Sequence, residues 1–128
     1  MAHWSERFVG KAYIEGEFDC AHFVEQVLRE QFGREVNLPK EHAADYRAQQ
    51  RQIDAEKAHF AEPVETPREG DAVLIVSRGR AEHLGVYCEI HGIGYVLHNF
   101  RAAGRVCLHR IRSLPAQGMA LAGYYRWI

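Results

Sequence analysis

The chain has 128 residues, 47% of them hydrophobic, and a formal net charge of −1 with its histidines neutral. That length is enough for one domain with a single core, over residues 1–128. A charge balance this close to neutral argues against a dedicated nucleic-acid-binding protein. No apolar run approaches the length that spans a bilayer. We therefore expect neither nucleic-acid binding nor membrane insertion.

The first strongly patterned segment is a helix that begins after Asp19. The Asp19 carboxylate can accept hydrogen bonds from the free N–H groups of a first helical turn. Apolar residues recur behind it at helical spacing, and Gly33 fits a C-cap, so the pattern predicts about three to four turns. Cys20 falls in the first turn, where the positive end of the helix dipole favours the thiolate. A short helical segment at 4–9 and an irregular loop at 10–16 are predicted to precede it.

The remaining chain passes from helical to strand-like patterns. Residues 41–60 are rich in Ala, Gln, Arg and Glu and predict a surface helix or helix pair, which Pro63 and Pro67 end. Helices followed by strands predict an α+β fold, with about five antiparallel strands in a meander and the helices on one side. A turn is predicted at 91–94. The strands are predicted at Ala72–Val76, Leu84–Ile90, Tyr95–His98, Val106–Ile111 and Ala122–Trp127.

Cys20 requires a base if it is to act as a nucleophile. His83 is the best placed, because it directly precedes a predicted strand on the face opposite the apolar residues. A third polar group must then hold the imidazole in the right tautomer. His98 and Asn99, at the end of the neighbouring strand, are both candidates. Taken alone, Cys20 is more often a structural residue, since buried cysteines are usually inert. Taken alone, His83 and His98 are also more often structural histidines at strand ends.

Metal binding is the competing use of the same residue types. Cys88, His91, Cys107 and His109 have side chains that zinc accepts. However, Cys88 belongs to the apolar face of its strand, and the spacing is unlike that of zinc knuckles. The odd number of cysteines also argues against a disulfide framework. We expect no metal site.

Four segments, in the right order, resemble motifs of the NlpC-type cysteine peptidases. Residues 10–20 are similar to the family's G-x-x-Y…F-D-C-S-G segment, with Phe18-Asp19-Cys20 at its end. Residues 67–74 resemble the family's P-G-D-L-V-F strand. The segment 83–87, His-Leu-Gly-Val-Tyr, is close to H-V-G-I-Y, and 96–99 matches the I-H-A position. Any one of these would be weak, but together they are specific.

The resemblance implies a papain-like α+β fold that hydrolyses an amide bond in the stem peptides of bacterial peptidoglycan. By matching position, Cys20 would be the nucleophile, His83 the base and His98 the orienting residue. Tyr13 and the backbone N–H of Cys20 would bind the oxyanion. The resemblance implies no metal and no cofactor.

The sequence departs from the family where Ala21-His22 replaces the usual Ser-Gly. With no signal-peptide pattern at its start, the chain is expected to be made in the cytoplasm. The compact single domain, with its Phe18-Asp19-Cys20 motif, is similar to the NlpC-like proteins of phage and prophage tail clusters. Tail proteins are then expected partners, with the protein virion-associated or released to the cell wall. Two alternatives stay open. One is a structural or tail-assembly protein that kept the fold, and the other is an amidase or acyltransferase with a non-wall substrate.

Overall fold

The computed structural model describes residues 3–15, 17–38, 61–77 and 83–128. The helix predicted within 41–60 lies outside the described residues. Short 3-10 segments occupy Trp4–Arg7, Arg101–Ala103 and Ile111–Gln117. The main elements are α1 (Cys20–Phe32), β1 (Ala61–Val64), β2 (Ala72–Ser77), β3 (His83–Ile90), β4 (Ile93–Phe100), β5 (Arg105–Arg110) and β6 (Met119–Trp127). None of the helices in these ranges is both long and apolar enough to cross a membrane.

Helix α1 begins and ends where the sequence predicts. The Asp19 carboxylate accepts hydrogen bonds from the N–H groups of Ala21 and His22, each at 3.1 Å. Gly33 ends the helix in the left-handed region, at φ +63°, where a residue without Cβ carries no steric cost. The capped first turn fixes the position of Cys20 at the start of the helix.

The described strands form one antiparallel sheet in the order β1-β6-β2-β3-β4-β5. The prediction of about five strands in a simple meander was wrong in two respects. Only β2 to β5 follow one another as a meander, because β6 returns to pair with β2. Strand β1 was missed, since Pro63 argued for a helix end. Proline is tolerated in β1 because this strand lies at the edge of the sheet and has a single neighbour.

The hairpin between β3 and β4 turns in two residues rather than the four predicted. Ile90 pairs directly with Ile93, which leaves only His91 and Gly92 in the turn. Both have positive φ, at 52° and 76°, as a two-residue turn of the primed type requires. The shorter turn extends β4 backwards and sets its register with β3.

The two faces of the sheet bury separate cores. Helix α1 packs on one face, where its apolar side meets Val86, Cys88 and Leu97. The opposite face buries Tyr87 and Val96, together with residues of β2 and the last 3-10 segment. For the described residues, the prediction that the helices lie on one side of the sheet holds for α1 but not for the 3-10 segment Ile111–Gln117, which packs on the opposite face.

Gly85 leaves no space for a side chain on β3. A Cβ at this position would overlap Cγ2 of Val96 and lie 3.0 Å from Cβ of His98. We expect Gly85→Ala to lower the free energy of unfolding by about 1–3 kcal/mol, because packed interiors resist added volume. Urea denaturation measures this change. Gly123→Ala in β6 is the matched control, since its Cβ would meet Tyr125 at an ordinary 3.4 Å. Equal losses in both variants would contradict the explanation.

Candidate active site

Cys20 lies where the N-terminal end of α1 meets the start of β3. The backbone N–H groups of Leu84, Ala21 and Cys20 itself are close enough to the sulfur to stabilise a negative charge on it. Leu84 directly follows His83 in β3. The fold therefore brings the cysteine of the first helical turn next to the strand that begins with His83.

The thiol of Cys20 is nevertheless held in its neutral form. Burial, with a smaller contribution from the neighbouring Asp19 carboxylate, raises the pKa of Cys20 from 9.0 to about 11. The prediction from the helix dipole, a thiol pKa below its ordinary value, was therefore wrong. The dipole and the nearby N–H groups do favour the thiolate, but loss of solvent around the sulfur outweighs them.

His98 and Asn99 are adjacent in β4, and they point to opposite faces of the sheet. His98 is fully buried, and its Nδ1 lies 2.8 Å from Nε2 of His83. Asn99 instead donates from Nδ2 to the carbonyl oxygen of Phe18, at 2.7 Å, and so ties down the chain just before α1. Of the two candidates, His98 is the one within hydrogen-bonding distance of His83.

Both histidines are neutral at physiological pH. Burial lowers the pKa of His83 from 6.5 to about 4. The pKa of His98 falls to about 2, first because of burial and then because of the other histidine rings beside it. Since Nε2 of His83 is engaged by His98, Nδ1 is the ring nitrogen left to accept a proton. A neutral imidazole with a free Nδ1 lone pair can accept the thiol proton.

A third histidine extends the pair. Nε2 of His98 lies 2.8 Å from Nδ1 of His109 in β5. From the sequence, His109 is a candidate only for zinc, because its position beside His98 depends on the register of β4 and β5. That register pairs His98 with Cys107, which places His109 on the same face two residues further on.

Phe100 covers all three rings. It stacks on His98 with centroids 5.3 Å apart, and it contacts His83 at 6.4 Å and His109 at 5.9 Å. An apolar ring in this position shields the hydrogen bonds from water, which strengthens them. It also contributes to the burial that keeps the imidazoles neutral.

Tyr13 lies close enough to Cys20 for a charge on one to affect the other. Burial and the neighbouring acidic groups, Cys20 first among them, raise the pKa of Tyr13 to about 12. The tyrosine therefore keeps its O–H proton and can donate a hydrogen bond. Its backbone N–H donates to the carbonyl oxygen of Gly104 at 2.9 Å, so the loop that carries it is attached to the sheet.

Comparison with known proteins identifies the family. The family model of the NlpC/P60 family matches residues 6–119. The chain belongs to the NlpC/P60 family. No curated protein and no solved structure matches the chain. NlpC/P60 proteins are cysteine peptidases and amidases that act on peptidoglycan, and the matched region contains Tyr13, Cys20, His83 and His98.

The position at which this NlpC/P60 chain departs from the usual Ser-Gly is occupied by His22. Its Nδ1 lies 2.8 Å from Oδ1 of Asp19, so the larger side chain adds to the helix cap. His22 and Phe18 also line a surface groove of about 610 Å³, together with Lys11 and Glu17. The lining includes neither Cys20 nor His83, and it follows the side of α1 that carries His22, Gln26 and Arg29.

The residues considered for zinc do not converge. Cys88 is fully buried in the core under α1, whereas Cys107 and His109 belong to the opposite face of the sheet. Within the described ranges, no three or more histidine, cysteine or acidic side chains are arranged to hold a metal ion.

Proposed function

We propose that the protein is a cysteine hydrolase that cleaves an amide bond in peptidoglycan stem peptides through an acyl-enzyme on Cys20. The observation that carries this proposal is the placement of the Cys20 sulfur beside the N–H of Leu84. Because Leu84 directly follows His83 in β3, this placement supports His83 as the base, and His98 at 2.8 Å from its Nε2 as the orienting residue. Membership of the NlpC/P60 family supplies the substrate class.

The first half-reaction transfers a proton and forms a thioester. His83 accepts the thiol proton at Nδ1 while the sulfur attacks the amide carbonyl carbon. The Tyr13 hydroxyl and the Cys20 N–H are the proposed donors to the oxyanion. The C–N bond then breaks, and the leaving amine takes the proton from the His83 imidazolium. The enzyme is left acylated on sulfur, with His83 neutral again.

The second half-reaction consumes water. His83 accepts a proton from a water molecule, whose oxygen attacks the thioester carbonyl. The C–S bond breaks, the sulfur recovers a proton from His83, and the new carboxylic acid leaves. The hydrogen bond to His98 holds the ring of His83 in one orientation through both steps.

The groove along α1 has the mixed charge that a stem peptide requires. Its lining includes the basic Lys11 and Arg29 and the acidic Glu17. Stem peptides carry both carboxylate and amino groups, which such a surface can pair with. We propose that this groove binds one side of the scissile bond. A phage or prophage origin, and tail proteins as partners, stay predictions.

The direct test is incubation with purified stem peptides and disaccharide-linked peptides, followed by mass spectrometry. We expect a new amine and a new carboxylate from one amide bond, and no such products with Cys20→Ala. An added amine nucleophile distinguishes hydrolysis from acyl transfer, because a transferase would form a new amide instead. Intact peptides after incubation with folded protein would overturn the proposal and favour the structural or tail-assembly alternative.

A further inference from the structure

The hydrogen-bonded pair of His83 and His98 continues to His109. Both ring nitrogens of His98 are engaged, Nδ1 with His83 and Nε2 with His109, each at 2.8 Å. A neutral imidazole has one N–H donor and one acceptor nitrogen. His98 must therefore donate to one neighbour and accept from the other. The three rings form a directional chain, in which the direction of one hydrogen bond fixes that of the next.

Only one direction leaves His83 able to act as a base. If Nε2–H of His83 donates to His98, its Nδ1 carries the free lone pair that is proposed to accept the proton of Cys20. His98 then carries its proton on Nε2 and donates it to Nδ1 of His109. In the reverse direction, His109 donates to His98 and His98 donates to His83, which places a proton on Nδ1 of His83. That proton blocks the nitrogen which has to accept from the thiol.

We propose that His109 is a positioning residue, whose Nδ1 acceptor selects the tautomer of His98 and, through it, the tautomer in which His83 serves as the base. This inference rests on the proposed roles of Cys20 and His83. His109 touches neither Cys20 nor the reacting atoms, and it acts only through His98.

The surroundings of His109 suit this role. The residue is half-buried on β5, with Phe100 packed edge-on against its ring at 5.9 Å. Burial lowers its pKa, so the ring is neutral and keeps an acceptor nitrogen. A charged His109 would have N–H groups on both nitrogens and would drive the chain in the unproductive direction.

Two substitutions separate the hydrogen bond from the volume of the ring. His109→Leu removes the acceptor and keeps an apolar side chain beside Phe100. His109→Asn restores an acceptor, because the asparagine Oδ1 occupies the place of the histidine Nδ1. With Leu at this position, the N–H of His98 would be buried without a partner, which is costly. We expect the His98 proton to move to Nδ1 and the His83 proton to follow.

The first readout is the tautomer of each imidazole, measured by long-range ¹H–¹⁵N correlation on the ¹⁵N-labelled protein without substrate. Wild type and His109→Asn are expected to show the proton of His83 on Nε2, and His109→Leu to show it on Nδ1. The second readout is stem-peptide cleavage. We expect kcat of His109→Leu to fall by about 10- to 100-fold with KM unchanged, as for other partners that orient a reacting group indirectly, and His109→Asn to recover most of it.

The nitrogen spectra decide the inference separately from the proposed function, because they need no substrate. An unchanged His83 tautomer in His109→Leu would overturn it, even if kcat fell, since that loss would then be structural. If the leucine variant fails to fold by circular dichroism, the wild-type spectrum still tests the inference. A proton on Nδ1 of His83 or of His98 in the wild type would overturn it.

Discussion

Replacement of Cys20 by alanine is expected to lower kcat/KM for stem-peptide cleavage by about 10⁴- to 10⁶-fold, the range seen when a hydrolase loses its nucleophile. No other thiol can substitute for it. Cys88 is fully buried in the core on the far side of the sheet from His83, and Cys107 lies two strands away from His83 on β5. The fold should survive, because the N-cap bonds of Asp19 go to the backbone and not to the cysteine side chain.

His83→Ala is expected to lose almost as much activity as Cys20→Ala, since the thiol is neutral and needs a proton acceptor before it can attack. The two residues should also behave as one unit. In that case the double variant loses little more than either single variant, as happens when catalytic residues act together. Kinetics of the four proteins on one peptide measure this.

Cys107→Ala is the matched control, because it also removes a half-buried thiol but one with no proposed role. It should cleave at the wild-type rate. Circular dichroism and urea denaturation establish that each variant is folded. If Cys20→Ala retained a tenth or more of wild-type activity, Cys20 would not be the nucleophile. Additive losses in Cys20 and His83 would show that the two residues act independently.

The parts of the site that the sequence predicts are those determined by neighbouring residues. Asp19 caps a helix because it precedes an amphipathic segment, and Gly33 ends that helix because only glycine adopts positive φ without cost. The face of His83 follows from the two-residue alternation of a strand. None of these inferences requires knowledge of which distant segments pair.

The parts that the sequence does not predict depend on long-range pairing. The place of His109 follows from the register that sets His98 opposite Cys107, and a shift of one residue would turn His109 to the other face. The edge position that tolerates Pro63 in β1 exists only because β6 returns beside β2. Neither fact leaves a local pattern that could be recognised.

The protonation state of Cys20 depends on a third factor, which is the solvent exposure of its sulfur in the folded protein. The sequence places the thiol at a helix N-terminus, which favours the thiolate by a modest amount. How much solvent the folded protein removes from the sulfur depends on β3 and on the loop of Tyr13, which come from opposite sides of Cys20 in the chain. Desolvation is the larger effect here, and only the assembled site reveals it.

The free protein is therefore expected to hold Cys20 and His83 as a neutral pair between about pH 5 and pH 9. A thiol pKa of about 11 instead of 9.0 leaves about a hundredfold less thiolate at neutral pH. The higher pKa makes each thiolate about six to ten times more nucleophilic. Iodoacetamide should then alkylate Cys20 about tenfold more slowly than it alkylates a small free thiol at pH 7. Mass spectrometry of the labelled peptide gives this rate.

Acid should also destabilise the fold, and this effect has to be separated from catalysis. The pKa of folded His83, about 4, is below its ordinary 6.5, so between these values the unfolded chain binds more protons. Stability then rises with pH in this range and is lost as the pH falls from about 6.5 towards 4. Circular dichroism at each pH identifies the range in which kinetic measurements refer to folded protein.

Ultraviolet absorbance distinguishes the neutral pair from a thiolate–imidazolium pair. The neutral pair and the thiolate–imidazolium pair hold the same number of protons. The pKa measured on the acidic side of the kcat/KM profile therefore belongs to the pair as a whole and does not identify which atom carries the proton. A thiolate absorbs where a thiol does not, and the difference between wild type and Cys20→Ala isolates residue 20. We expect no thiolate signal from pH 5 to pH 9. A signal at pH 6, accompanied by fast alkylation, would show that the ion pair forms before substrate binds. The nucleophile would still be Cys20, but His83 would act as a preformed imidazolium rather than as the base that accepts the proton during attack.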